Sequence, residues 1–210
     1  PNTAATSFYG LVDGIYRYLD KYKREAILKL GPNPNPEEID KILRVKIRRE
    51  KILVKDAKIR TFITQDSDRD DLVGNGYDVT YDIIKPSDTL VVVDDSIVRG
   101  TTLKKSILRI LDRLGPKRII VVSSAPIIKY PDCYGIDMSR MNEFIAFQAV
   151  KSLLEKQGEL SLMDTVYTNC KEEMTKPLAE MQNRLKDLYD RFTDEEIEKE
   201  IARLVTPSDM

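Results

Sequence analysis

The segment Thr89–Thr102, T-L-V-V-V-D-D-S-I-V-R-G-T-T, constrains the fold more than any other stretch of the chain. Leu90–Val93 are apolar without alternation and mostly β-branched, which predicts a strand buried on both faces, as in a parallel sheet. The run ends on two carboxylates, Asp94 and Asp95, and a short loop follows. From Leu103 to Leu114 apolar residues recur at helical spacing, and Gly115-Pro116 stops that helix. Ile119–Ser123 then reads as a second strand. Strand, helix and strand predict a right-handed βαβ unit, so the expected class is α/β with a parallel sheet flanked by helices.

Ligands in open α/β sheets bind beyond the carboxyl ends of the strands. The loop there is Ser96, Ile97, Val98, Arg99, Gly100, Thr101 and Thr102. It offers backbone N–H groups, hydroxyls, one guanidinium and a permissive glycine at a helix N-terminus, which together suit an anion. Asp94 and Asp95 would repel a bare phosphate. They suit a ligand that also carries hydroxyls, or a bridging divalent cation. The residues therefore point to a phosphorylated sugar held with magnesium. A carboxylate pair at a strand end also occurs in receiver domains, which need a further acceptor Asp and a later Lys; Lys129 is a loose candidate for the second.

Composition narrows the classes. The formal charge is −1, which argues against a general nucleic-acid or membrane binder. No apolar run approaches the ~20 residues of a membrane span. Cys133 and Cys170 stand far apart without metal spacing, fitting a reducing cytoplasm. There is no histidine, so the commonest general base and any Ser-His-Asp scheme are ruled out.

V-V-V-D-D-S-I-V-R-G-T-T resembles the phosphoribosyl-pyrophosphate (PRPP) motif of type I phosphoribosyltransferases. The full wording D-D-S-I-V-R-G-T-T is similar to that of the amidophosphoribosyltransferase family. Arg60-Thr61-Phe62-Ile63 upstream matches that family's R-T-F-I, and Ala125–Pro131 with Tyr134-Gly135-Ile136-Asp137 follows in the family's order. The resemblance covers residues 1–147. It implies a type I phosphoribosyltransferase-like domain over residues 1–150, its first strand lying before Pro1, and a helical C-terminal extension over 151–210.

The resemblance also implies roles. Asp94 and Asp95 would bind the ribose hydroxyls directly or through Mg²⁺, and residues 96–102 the 5-phosphate. Arg60 and Arg69 would reach the substrate. Pro1-Asn2-Thr3 matches a loop in which Thr3 contacts the metal or pyrophosphate; a helix N-cap is the plainer reading of Thr3. The family carries a catalytic lid where residues 66–88 stand. That lid is basic, whereas this segment is acidic, with Arg69 its one cation before Lys85. Some relatives hold an iron–sulfur cluster through a cysteine near the K-Y-P element. Here Asp132 takes that slot and Cys133 is shifted by one, so no cluster is expected.

Expected partners are PRPP, ammonia or glutamine, an N-terminal glutaminase domain outside this chain, and further copies in a homo-oligomer. Neither nucleic acid nor membrane is expected. The activity implied is transfer of ammonia to C1 of PRPP, in the cytoplasm, for purine synthesis. A PRPP-responsive binding protein without turnover is the alternative.

The rest of the chain reads as scaffold. Phe8–Leu30 is expected to be a helix whose tyrosines pack. Gly31–Pro36 breaks it, and a second helix should run through Ile39, Ile42 and Leu43 toward Ile47. Lys41–Lys58 reads as a solvated helix face. Met138–Leu154, Leu160–Met174 and Pro177–Val205 read as helices, with Asp194–Glu200 an exposed face.

Overall fold

The computed structural model of the chain describes residues 2–50, 52–55, 77–80, 82–132 and 138–208. Arg60, Arg69, the R-T-F-I and Y-G-I-D elements and Cys133 lie outside the described residues.

Helix α1 (Asn2–Leu28) opens the chain and meets α2 and β3. Those contacts cover only one stripe of its surface. Val12 is buried, while Tyr9, Tyr18, Tyr22 and Leu28 are exposed. Tyr9, Tyr18 and Tyr22, expected to pack, thus stay largely exposed, while Tyr16 lies under the Arg49 guanidinium. Helix α2 (Pro36–Leu43) starts where expected. Glu37 N–H donates to the Asn35 side chain at 3.0 Å, Pro36 occupies the first turn, and Glu37 and Glu38 face the positive end of the dipole. It ends at Leu43, short of Ile47. Val45 and Ile47 alternate with Lys46 and Arg48, a two-residue period that cannot extend a helical stripe.

The basic run is therefore not one helix face, because β1 (Leu53–Lys55) lies within it. β1 pairs antiparallel with β2 (Tyr77–Val79), from Leu53↔Val79 to Lys55↔Tyr77. β2 falls inside the segment 66–88 that reads as a loop. A three-residue strand is too short to announce itself by alternation.

Strands β3 (Thr89–Asp94) and β4 (Arg118–Ser123) are parallel, in register from Thr89↔Arg118 to Asp94↔Ser123. The α/β class and the parallel pairing follow the sequence reading. The burial does not. Leu90 is buried, but Val91 on the opposite face is 44% exposed. A parallel strand is covered twice only when helices lie on both faces, and here the Val91 side is left open. The crossover begins as a π-helical stretch, Leu103–Ile107, in which Leu108 N–H donates to Leu103 O, and continues as α3 (Leu108–Asp112). Leu103, Leu108 and Leu111 point inward, and Gly115, at φ +68°, ends the turn.

The core lies on the helical side. Helices α4 (Ile145–Gln157), α5 (Ser161–Glu173), α6 (Lys186–Tyr189) and α7 (Asp194–Val205) bury Phe144, Leu154, Tyr189 and Ile197 almost completely. Each such side chain contributes about 1.5–3 kcal/mol through area removed from water. The same cluster takes in Leu103 and Leu108, so residues on both sides of position 150 share one core. α4 starts at Ile145, later than the periodicity from Met138 suggests. A 3₁₀ turn (Met141–Glu143) precedes it, and Phe144 stays extended (φ −74°, ψ 127°) with its ring inside. Pro177–Val205 is not one helix. A 3₁₀ turn (Leu178–Glu180) and α6 come before α7, which opens on a capping box between Thr193 and Glu196.

The acidic stretch Asp194–Glu200 is exposed only in part. Ile197 and Glu200 face inward, because they fall on the stripe that meets α4. Ser152 Oγ donates to Glu200 Oε1 at 2.7 Å, and Lys156 and Arg203 complete its cover. Glu173 is served likewise by Lys176, Arg184 and the Gln182 N–H. Cys170 is a free thiol packed against the core.

Candidate functional site

The tips of β3 and β4 end level, which sets Asp94 and Asp95 beside Ser123 and Ser124. Backbone bonds close this corner. Ser124 N–H donates to Asp94 O at 2.9 Å and Ala125 N–H to Asp95 O at 3.0 Å. The Ser124 hydroxyl donates toward the same two carbonyls, at 3.1 and 3.0 Å. With their carbonyls tied down, both acids are held at the strand mouth.

Their side chains are held as well. Asp95 N–H donates to Asp94 Oδ1 at 2.9 Å, and Ser96 N–H donates to Asp95 Oδ1 at 2.8 Å. Asp94 is half-buried and Asp95 exposed. Burial pushes the Asp94 carboxyl above its ordinary 3.8, and the adjacent Asp95 charge adds to this, against the Asp95 N–H bond that favours the anion. A cation or a hydroxyl donor arriving here would relieve that penalty.

The loop 96–102 follows this corner and is fixed by residues 143, 145 and 205. Ile145 N–H, opening α4, donates to Val98 O at 2.8 Å. Arg99 NH2 meets Glu143 Oε2 at 2.5 Å, both side chains less than a third exposed. Gly100 has φ +71°, and a Cβ there would stand 2.7 Å from Val205 Cγ1. Lys104 N–H donates to Gly100 O, and Lys104 Nζ to Leu204 O, both at 2.9 Å. The contacts made behind the loop thus engage its carbonyls and the Arg99 side chain. Thr101 and Thr102 are exposed on the first turn of the crossover, with Ser96 half-buried.

The structure therefore sets Asp94, Asp95 and Ser96–Thr102 in one run from the β3 tip to the start of the crossover. Arg99 sits in an ion pair with Glu143. Thr3 lies in the first turn of α1, and its side chain is outside what the structure describes. Sequence reasoning passed over Ser124, Glu143 and Val205. Ser124 was discoverable as a hydroxyl following the second strand. Glu143 and Val205 carry no local signal, since only the tertiary fold brings them to the loop.

Magnesium is the cation implied. Two hard carboxylates at a strand end fit it, because Mg²⁺ takes one or two carboxylates and completes its shell with water and substrate oxygens. No group of three or more His, Cys, Asp or Glu able to hold a metal occurs among the described residues. Nor is any helix among them long and apolar enough to cross a membrane.

No protein-family model matches the chain. Curated relatives do. The chain is 50% identical over 58 residues to the amidophosphoribosyltransferase of Pasteurella multocida, which covers 28% of this chain and 11% of that protein. With the Escherichia coli enzyme of the same name it is 46% identical over 57 residues, 27% and 11% of the two chains. With that of Pyrococcus horikoshii it is 41% identical over 78 residues, 37% and 17%. A solved structure described as the allosteric regulatory enzyme of purine biosynthesis is 32% identical, covering 58% of this chain and 26% of that one, with a TM-score of 0.39. The matches span less than a fifth of the curated relatives' length. Over the matched part the chain is related to amidophosphoribosyltransferases.

Proposed function

We infer that this chain is the PRPP-binding part of an amidophosphoribosyltransferase, which transfers ammonia to C1 of PRPP and releases pyrophosphate. The observation that carries the reading is the corner at the β3 tip, where two oriented carboxylates stand beside a hydroxyl-bearing loop at a helix start. In this reading Asp94 and Asp95 hold the ribose 2- and 3-hydroxyls, directly or through Mg²⁺, and steady positive charge on the ring as the C1–O bond lengthens. Ser96, Thr101, Thr102 and the loop amides receive the 5-phosphate. Magnesium, when bound, neutralises charge on the departing pyrophosphate. Ammonia is already a nucleophile, so a chain without histidine meets the demand by positioning. Residues 1–150 carry this chemistry, and residues 151–210 brace it through the shared core.

Arg60 is assigned to the substrate, Arg69 to its pyrophosphate and Thr3 to the metal shell, from the motif positions alone. The glutaminase activity belongs to a domain outside this chain. A homo-oligomer in the cytoplasm is the expected setting.

The test is ammonia-dependent release of pyrophosphate from PRPP by the intact protein with Mg²⁺. Release that saturates in PRPP and falls by about 100-fold or more in Asp95→Asn supports the assignment, a loss typical of removing a group that stabilises transition-state charge. Binding of PRPP without release at high ammonia selects the second reading, a PRPP-responsive binding protein. That reading is favoured by the acidic stretch 66–82, in which Asp66, Asp68, Asp70, Asp71, Asp78 and Asp82 outnumber Arg69. Acids facing a pyrophosphate oppose it unless a cation intervenes.

A further inference from the structure

We propose that Glu143 is a positioning residue for the phosphate loop, and that Arg99 serves the site through Glu143 rather than as a ligand of the phosphate. The proposal rests on the PRPP reading above.

Three consecutive loop residues are engaged from one side. The Val98 carbonyl takes the Ile145 N–H at 2.8 Å, Arg99 meets Glu143 at 2.5 Å, and Gly100 lies against Val205 and Ile145. Residues 143 and 145 thus grip residues 98 and 99 through one charge pair and one backbone bond. Glu143 itself sits on a short 3₁₀ turn whose next residue, Phe144, is fully buried, so its backbone has a rigid anchor.

Glu143 Oε2 is shielded from solvent, and the Arg99 contact is a charge pairing rather than an aligned hydrogen bond. The other carboxylate oxygen lies 3.5 Å from Arg140, whose side chain is 75% exposed. Arg140 can therefore give only a solvent-screened share of the compensation. Among the described residues, Arg99 is the less exposed of the two cations that meet Glu143 and gives the larger share of its compensation. If Arg99 swung to a phosphate, it would leave an uncompensated carboxylate close behind an anion site. Such a group would raise the local negative potential at the place where a phosphate must settle. Holding the pair together keeps the Glu143 charge compensated and leaves the loop amides, hydroxyls and helix start for the ligand.

The two roles for Arg99 predict opposite results for one substitution. In the intact protein, Arg99→Ala, Glu143→Gln and the double variant are compared with wild type. PRPP and ribose 5-phosphate binding are measured by calorimetry, and kcat and KM by pyrophosphate release. If Glu143 positions the loop, both single variants weaken both ligands by about 10- to 100-fold, the scale of a small misplacement. The double variant is then no worse than either, because the pair acts as a unit. The loss appears in KM for PRPP more than in kcat, since the 5-phosphate is remote from C1. Glu143→Asp recovers part of the affinity, which Gln does not.

The proposal is overturned if Glu143→Gln binds PRPP as well as or better than wild type while Arg99→Ala fails to bind. That pattern makes Arg99 a phosphate ligand that Glu143 holds back. Unaltered binding in both single variants also overturns it. If wild type binds neither ligand, the PRPP reading itself fails, and the positioning role fails with it. Unchanged thermal midpoints in Glu143→Gln exclude general unfolding as the cause of any loss.

Discussion

Replacing Gly100 by alanine tests the loop's construction. Two costs add at this position. The backbone sits at φ +71°, a left-handed conformation that costs an L-residue with a Cβ about 1–2 kcal/mol. The new methyl would also stand 2.7 Å from Val205 Cγ1 and 3.5 Å from Ile145 Cγ1. Val205 is a short β-branched side chain, 5% exposed, so it cannot swing away without moving α7. Overpacking of this kind costs about 1–3 kcal/mol. The expected sum is about 2–5 kcal/mol, and each kcal/mol lowers the melting midpoint of a chain this size by about 2–4 °C. Gly115 supplies the control. Its φ is +68°, yet nothing lies within 4 Å of the added Cβ. Gly115→Ala should therefore carry only the first cost, about 1–2 kcal/mol. The assay is thermal and urea denaturation of both variants, repeated in a Val205→Ala background. Gly100→Ala should be the more damaging by about 1–3 kcal/mol, and Val205→Ala should shrink that gap. Equal losses at the two glycines would refute the claim that α7 closes on the back of the loop.

The remaining predictions concern charge. Glu200 is held down to about 2, first by the Arg203 hydrogen bond and then by Lys156 and Ser152, against burial. Its lowered native value means the stabilisation is present above about 4.5 and is lost as pH falls toward about 2. Glu173, held down to about 2 chiefly by Lys176, the Gln182 N–H and Arg184, loses its contribution over the same window. Melting curves between pH 5 and 2 should therefore fall steeply, and less steeply in Glu200→Gln. Glu200→Ala should cost about 1–3 kcal/mol at neutral pH, below the value for a fully buried pair, because Lys156 and Arg203 are half exposed to solvent. Asp94 has the opposite sign. Its raised native value means the Asp94 contribution to stability is greatest below 3.8 and declines as pH rises through the shifted value. Asp94→Asn should thus melt at or above wild type at neutral pH without ligand, while losing PRPP-dependent turnover. A midpoint several degrees lower would show that the Asp94 charge is not under strain.

How much of the molecule was legible depends on how local its causes are. The β3–crossover–β4 unit could be read because each part carries its own signal: a β-branched run, a helical stripe, a glycine at the stop. The Asn35 cap of α2 and the capping box of α7 have equally local causes, side chains reaching two or three residues along the chain, yet the reading of Pro177–Val205 as helix passed over the box. Where the cause was distant, reading failed. Val91 has the composition of a covered strand, but cover is supplied by other elements, and Val91 is left 44% exposed here. Glu200 looks like one more acid on a charged helix, yet the stripe it shares with Ile197 turns it toward Ser152, Lys156 and Arg203.

The same division runs through the site. Composition and order along the chain determined that two carboxylates end a strand and that a hydroxyl-rich turn follows, because adjacent residues cannot be separated by folding. The parallel register alone decided that Ser124 would tie down the carbonyls of both acids. The packing of α4 and α7 alone decided that Glu143 and Val205 would stand behind the loop. Glu143 stands 44 positions from Arg99 and Val205 stands 105 positions from Gly100, and contacts over such spans belong to the core that closes the distance.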